Sequence, residues 1–468
     1  MTKPRRFDAI VVGAGQAGPS LAARLAGAGM KTALVERRFL GGTCVNTGCT
    51  PTKTMLASAS AANIVRRAGQ YGVTGIGPVG VDIKAIKARK DSVIEDSRGR
   101  LARWLRSVPN LSLIEGHARF TSADEMQVGD ERIAASRIYL NVGGRAFVPN
   151  YSGTYDIGYL TNSTILDLEL VPEHLVIVGG GYVGLEFAQM FARFGSRVTV
   201  VHRRSHLLAR EDHDISQAIL AMLQTENICF HLGAECISFE RRGEQKVVKL
   251  SCDQGETEVI GSHVLLAVGR RPNTDDLGLD LAGIALDERG YIQCDDALET
   301  NVPGIWALGD CNGRGAFTHT SYNDYEIVAE NLLHNSGRKV SERPSIYALY
   351  TDPPLGRVGL GEDEARRAGY SVLVGKRPMT RVARAVEKGE TTGLMKIVSD
   401  AATGRLLGAS ILGTSGDEAV QSVVDLVHTR APAEALRRSL RIHPTVSELL
   451  PTLVAEQKPS DSSTVQDH

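Results

Sequence analysis

Short apolar runs that end on glycine recur along this chain, and each reads as a strand entering a tight turn. The first is Ile10-Val11-Val12, with Asp8 before it and Gly13 after it. It belongs to a segment from Phe7 to Glu36: a strand, Gly13-Ala14-Gly15-Gln16-Ala17-Gly18, an Ala/Leu-rich helix, then Thr32-Ala33-Leu34-Val35-Glu36. A second segment from Leu175 repeats it: Val176-Ile177-Val178, Gly179-Gly180-Gly181-Tyr182-Val183-Gly184, a helix to about Arg193, then Val198-Thr199-Val200-Val201-His202. A third apolar run, within Thr300 to Asp310, predicts a strand ending in Gly309-Asp310, followed by a glycine-rich turn and a helix from about Thr318. From about Ser345 short strands alternate with short helices, including Arg357 to Leu360, Leu394 to Val398 and Leu406 to Leu412. After about Ala455 the pattern turns polar, and 457–468 is expected to be a disordered tail.

Strand, G-x-G-x-x-G, helix, strand, met twice, predicts two dinucleotide sites. The glycines let the backbone approach a pyrophosphate, and the helix start supplies N–H donors and partial positive charge. Glu36 lies 23 residues after Gly13, where a carboxylate accepts from a ribose hydroxyl. The same offset from Gly179 lands on His202, followed by Arg203 and Arg204. A 2′-phosphate is repelled by Glu and bound by Arg. The second site is therefore expected to hold NADPH, and the first FAD. Candidate cofactor contacts are Gly13, Gly15, Gly18, Glu36, Gly42, Thr43, Lys53, Gly143, Gly179, Gly181, Gly184, His202, Arg203, Arg204, Gly269, Asp310 and Thr318.

Chemistry enters with Gly41-Gly42-Thr43-Cys44-Val45-Asn46-Thr47-Gly48-Cys49-Thr50-Pro51-Thr52-Lys53, directly after the first segment. A Cys-x4-Cys pair can close a small disulfide loop that accepts two electrons from a neighbouring cofactor. The spacing does not suit a zinc knuckle, and no metal site is expected. The chain has 468 residues, 53 basic against 54 acidic side chains and 49 glycines. That length allows about three domains. The near-zero net charge points away from nucleic acid and membrane-surface partners. No stretch approaches the roughly 20 apolar residues of a membrane span. Seven scattered cysteines argue against a secreted disulfide scaffold. The expected location is the cytoplasm, where a retained pair points to catalysis.

These motifs, with Ile442-His443-Pro444-Thr445-Val446-Ser447-Glu448 near the end, resemble the pyridine nucleotide–disulfide oxidoreductases, the flavoenzymes that include dihydrolipoamide dehydrogenase, glutathione reductase and mercuric reductase. The resemblance implies an α/β fold: two Rossmann-like FAD/NAD(P)-binding domains plus a C-terminal α+β dimerisation domain. The expected division is 1–148 and 273–343 for FAD, 149–272 for NAD(P)H and 344–456 for dimerisation. A homodimer with shared active sites is implied. Cys49 would be the thiol beside the flavin and Cys44 the one that meets substrate. Lys53 and Glu186 would form an ion pair near the flavin. Tyr182 would cover its nicotinamide face. His443 would be the acid–base from the partner subunit, oriented by Glu448. Thr445-x-x-Glu448 also reads as a capping box, compatible with that role.

Departures narrow the acceptor. The chain has no cysteine after Cys311, where mercuric reductases carry a vicinal pair, and it keeps His443, which they usually lack. His202 stands where dihydrolipoamide dehydrogenases have Glu, and Thr52 where glutathione reductases have Lys. The wording around Cys49 and Thr351 to Gly359 is similar to a bacterial mercuric-reductase-like branch that includes a flavoprotein linked to reactive-chlorine resistance and copper reduction. The expectation is an NADPH-dependent disulfide or metal-ion reductase. The alternatives are a dihydrolipoamide dehydrogenase or glutathione-reductase-like enzyme, or a flavin-binding redox sensor.

Overall fold

The computed structural model describes residues 3–252 and 255–460. Five parallel strands form the first sheet, in the order Ile305–Ala307, Ile138–Leu140, Ala9–Val12, Thr32–Glu36, Leu111–Glu115. The central Ala9–Val12 is wholly buried, as an all-apolar parallel strand covered on both faces must be. A second parallel sheet runs Cys229–His231, Arg197–Val201, His174–Val178, His263–Leu266. Fully burying Val176, Ile177 or Leu265 contributes about 1.5–3 kcal/mol each. The C-terminal sheet is antiparallel and six-stranded: Ile346–Leu349, Leu355–Gly359, Leu406–Leu412, Leu394–Asp400, Val372–Pro378, Lys458–Pro459.

Two details differ from the sequence pattern. The run from Thr300 gives a strand only over Ile305–Ala307. Gly304, at φ +86°, turns the chain, and the Ile305 N–H donates back to the Val302 carbonyl at 3.2 Å. The disorder expected from 457 does not hold over the first residues of that stretch: Lys458–Pro459 lies on the edge of the C-terminal sheet, opposite Leu373 and Val374. An edge position tolerates the proline, which has no N–H to give. Residues 461–468 lie outside the described residues.

The two chain crossings between the nucleotide-binding sheets pair with each other, Arg270–Pro272 against Gly144–Ala146. The helix Cys49–Arg67 packs on the helix Tyr182–Phe194. Met55, Phe187, Leu349 and Leu412 share one apolar cluster, so the cysteine helix, the second nucleotide-binding sheet and the C-terminal sheet are packed together. Among the described residues no helix is long and apolar enough to cross a membrane.

Candidate active site

The cysteine loop is two helices with a break between them. Gly41 and Gly42 adopt φ of +92° and +58°, which starts the helix Gly42–Thr47. Gly48 interrupts it, and Cys49–Arg67 follows. Cys49 therefore stands in the first turn of a 19-residue helix, where unpaired N–H groups favour negative charge. Both cysteines are free thiols. A hydrogen bond from Cys44 is the main force holding the Cys49 thiol down, to about 6. Burial opposes it, and the Thr318 hydroxyl (3.4 Å away) and Lys53 assist. The same bond, with burial, pushes Cys44 up. These opposite directions favour negative charge on Cys49 over Cys44.

Lys53 follows Cys49 by one helical turn. Its Nζ lies 2.8 and 3.0 Å from the Glu186 carboxylate oxygens and 4.4 Å from the Tyr350 ring centroid. Glu186 is buried, 7% exposed, and also accepts from the Tyr350 N–H at 3.0 Å. The pair implied by the resemblance is formed between two packed helices.

A cavity of about 1120 Å³ runs past Gly13, Gly15, Glu36, Gly42, Thr43, both cysteines, Lys53, Gly143, Asp310, Thr318, Tyr182 and Glu186. Gly269 is not among its lining residues; its carbonyl accepts from the Phe147 N–H at 2.9 Å, and the next residue, Arg270, reaches the cavity instead. Arg270 Nη2 donates to Asp310 Oδ2 at 3.3 Å and to the Gly144 carbonyl at 2.6 Å. Burial pushes the Asp310 carboxyl up, with Arg270 opposing. Glu36 accepts from the Ala14 N–H at 2.8 Å and from the Arg38 N–H at 2.8 Å.

The two G-x-G-x-x-G turns are built alike. A Cβ on Gly13 would stand 2.3 Å from the Asn141 carbonyl oxygen, and one on Gly179 2.3 Å from that of Ala267. Gly18 and Gly184 would likewise meet the Gly13 and Gly179 oxygens at 2.0 and 2.2 Å. Each turn is pressed against a neighbouring strand end, leaving room only for hydrogen at these carbons. Gly181 precedes the helix Tyr182–Phe194 with no side-chain cap, so its first N–H groups stay available to a ligand.

One expectation for the second turn is corrected. His202 is not a cation: burial first, then Arg204, His206 and Arg203, lower its pKa to about 4. Its Nδ1 accepts from the Gly180 N–H at 3.1 Å, as Glu36 accepts from Ala14. Arg203 and Arg204 are exposed and carry the positive charge. Neither they nor His202 line the cavity.

His443 and Glu448 lie in the C-terminal domain, joined by Nδ1 to Oε2 at 2.7 Å. His443 is 75% exposed and not among the residues lining the cavity. The capping-box reading fails. Thr445 precedes the short helix Val446–Leu449 without capping it and donates instead to the Ile442 carbonyl at 2.8 Å, while Glu448 turns to His443.

Residues 7–324 match the family model described as pyridine nucleotide-disulphide oxidoreductase, and residues 346–454 match its dimerisation domain. The chain belongs to the pyridine nucleotide-disulphide oxidoreductases. Such a family member is an FAD-dependent enzyme that draws on NAD(P)H. A protein named as a probable pyridine nucleotide-disulfide oxidoreductase, RclA of Escherichia coli strain K12, is 35% identical over 95% of this chain and 98% of its own length. A mercuric reductase of Streptomyces lividans is 32% identical, covering 97% of each chain. A dihydrolipoyl dehydrogenase of Chlamydia muridarum is 33% identical, covering 95% of each. The solved Cu(II) complex of the HOCl-induced flavoprotein disulfide reductase RclA from Escherichia coli matches with a TM-score of 0.87 at 33% identity, covering 96% of this chain and 99% of that one.

The cavity suits the family's flavin: glycine backbone too crowded for any Cβ at one end, a half-buried carboxylate with a guanidinium beside it, and the cysteine helix start opposite. Sequence reasoning passed over the residue that joins these parts. Asn141 Oδ1 accepts from the Gly18 N–H at 3.0 Å, and its Nδ2 donates to the Leu308 carbonyl at 2.9 Å. The clue was a lone amide closing the apolar run Ile138-Tyr139-Leu140. Asp324 was also missed; nearly fully buried, it accepts from the Gly309 N–H at 2.8 Å and from Arg343 at 2.5 Å. Mid-helix, it gave no pattern to read.

Proposed function

We propose that this oxidoreductase takes electrons from NADPH and delivers them through Cys44 and Cys49 to a disulfide or metal-ion acceptor. The observation that carries the proposal is the single cavity bounded by the first glycine turn, the low-pKa Cys49 and Tyr182 of the second glycine turn. Bound FAD supplies two-electron transfer between NADPH and the cysteine pair. Arg203 and Arg204, exposed beside the neutral His202, bind the 2′-phosphate. Lys53, neutralised by Glu186, steadies negative charge near Cys49. In the reduced pair, Cys44 gives its thiol proton to His443, attacks a substrate disulfide as the thiolate and expels one thiolate. Cys49 then attacks Cys44, expels the second, and the Cys44–Cys49 disulfide is restored. Two protons complete the products.

His443 supplies one of those protons, oriented by its bond to Glu448. It acts in trans, in a homodimer. Leu440 and Ile442 beside it are 99% and 79% exposed, an apolar pair suited to burial against a second copy. The His443–Glu448 pair favours a disulfide over a metal ion, which needs no such proton. The Cu(II) complex of the solved relative keeps metal ions in the comparison. The test is NADPH oxidation by purified protein with oxidised glutathione, lipoamide, Hg(II), Cu(II) or a quinone. Turnover with one of the first four, abolished by Cys44→Ser, is expected. Turnover only with the quinone, indifferent to both cysteines, overturns the proposal.

A further inference from the structure

Tyr182 belongs to the second glycine turn and yet lines the cavity that holds Cys49, Lys53 and Asp310. On the coenzyme reading given above, a nicotinamide entering from that turn would meet this ring at the cavity wall. The ring is tied down. Its hydroxyl donates to Glu211 Oε1 at 2.9 Å, and the Tyr347 hydroxyl donates to the same oxygen at 2.7 Å. The Glu211 side chain is 0% exposed and does not line the cavity. Arg357 Nη1 lies 3.6 Å from its other oxygen, while the same guanidinium holds Glu364 at 2.9 Å and the Ser410 hydroxyl at 3.0 Å.

The rings interlock as well. Tyr182 meets Tyr347 edge-on at 5.4 Å and Phe317 edge-on at 6.5 Å, and Phe317 stacks on Tyr347 at 5.6 Å. The next residue, Asp212, is fastened to the C-terminal domain by Lys396 at 2.8 Å and by the Glu362 N–H at 3.0 Å. The Leu208 N–H bonds the Gly180 carbonyl at 3.1 Å, and the Glu211 N–H bonds the Leu208 carbonyl at 2.7 Å. The carboxylate is therefore fixed from three sides, and Tyr182 is the one partner that stands at the cavity wall.

We propose that Glu211 is a positioning residue: its carboxylate, held by Tyr347 and Arg357, latches Tyr182 across the path of the coenzyme into the flavin cavity. The proposal rests on the coenzyme reading given above. Displacing Tyr182 breaks one hydrogen bond, while Glu211 keeps Tyr347 and Arg357. Burial pushes the Glu211 carboxyl up and leaves its Oε2 without a hydrogen bond, but the Tyr347 bond and the Arg357 ion pair remain, so the latch can open and re-form in every cycle. Burial, with the neighbouring carboxylate, pushes both tyrosine hydroxyls up, which keeps them donors throughout.

The binding of a coenzyme that needs the open ring is weakened by the fraction of time the ring is closed. Removing one hydrogen bond to a charged group is worth about a factor of ten. The test is calorimetric titration of the oxidised holoenzyme with NADP⁺. Tyr182→Phe keeps the ring and drops the bond; tightening of about tenfold is expected. Glu211→Gln should tighten binding in the same direction, and the double variant should equal Tyr182→Phe alone, because both act through one bond. If Glu211→Gln does not fold, Tyr182→Phe and Tyr347→Phe complete the cycle, and donors sharing one oxygen must be non-additive. Additive effects, or binding unchanged in Tyr182→Phe, overturn the latch. Arg203→Ala separates the two readings. Weakened NADP⁺ there, with parent-like Tyr182→Phe, discards the latch alone; parent-like Arg203→Ala discards the coenzyme reading beneath it.

Discussion

Asn141→Ala removes one small amide from the cavity wall and should loosen FAD. The side chain is buried and satisfies two backbone groups from different segments, the Gly18 N–H and the Leu308 carbonyl. The 3.5 Å contact with Ser321 adds little. Leaving each backbone group buried without a partner costs about 1–3 kcal/mol, so the pair costs about 2–6 kcal/mol. Gly18 opens the helix of the first glycine turn, and Leu308 precedes Gly309-Asp310. The loss therefore falls on the two segments that FAD binding must hold together. Even the lower bound corresponds to roughly 30-fold in the dissociation constant. Titrating apoprotein with FAD, following quenching of flavin fluorescence, reads it directly. Asn141→Asp provides the sign. Protonated, the carboxyl still offers a donor and an acceptor; ionised, it sets an anion against the Leu308 carbonyl. Its folded pKa then stands above the unfolded value of about 3.9. Stability is near that of the parent below that pH and is lost as pH rises through the raised value. FAD affinity within threefold of the parent in Asn141→Ala would refute this account of the site's assembly.

Two-electron reduction should give a long-wavelength absorbance from the Cys49 thiolate against oxidised FAD, full well above pH 6 and fading as pH falls through about 6, because that thiol is held down. Cys49→Ser should abolish the band and Cys44→Ser should show it without reductant; a band surviving in Cys49→Ser contradicts the assignment. Arg203→Ala should raise the Michaelis constant for NADPH about tenfold or more, the worth of a charged hydrogen bond, and leave NADH nearly unchanged; equal losses for both coenzymes argue against a phosphate contact. His443→Gln should slow disulfide reduction by about 10²- to 10⁴-fold while NADPH still reduces the flavin, and mixed Cys49→Ser and His443→Gln dimers should recover activity; an acceptor indifferent to the change is not reduced by the disulfide route.

What could be read from the sequence was local in the chain. Both glycine turns declare themselves through spacing, since their geometry is set by residues within one strand–helix unit. The same holds for Cys44 to Lys53, whose helix places thiol and amine one turn apart. The partner of Lys53 came from resemblance alone, because Glu186 lies 133 residues away and nothing periodic links them. Asn141, Arg270 and Asp324 were not legible for the same reason: each satisfies backbone or charge belonging to a distant segment. The capping box misled because a four-residue pattern cannot show that His443 competes for Glu448.

His202 shows how a matched offset can mislead on chemistry while being right on place. At Glu36 a carboxylate meets the Ala14 N–H; at His202 an imidazole nitrogen meets the Gly180 N–H, at the equivalent point of the second turn. Each turn has an acceptor at that point, one a carboxylate and the other an imidazole. Charge is a separate matter. Glu36 adds a negative charge to its turn, whereas His202, kept neutral by burial beside two arginines, adds none. That acceptor role suits a histidine rather than a third arginine after the strand: a guanidinium has no lone pair to offer the glycine N–H. Removing the anion while keeping the acceptor leaves Arg203 and Arg204 free to define the sign of the site. On the proposed reading, coenzyme choice rests on two exposed side chains and the turn's geometry on a half-buried third, so the one can change without unmaking the other.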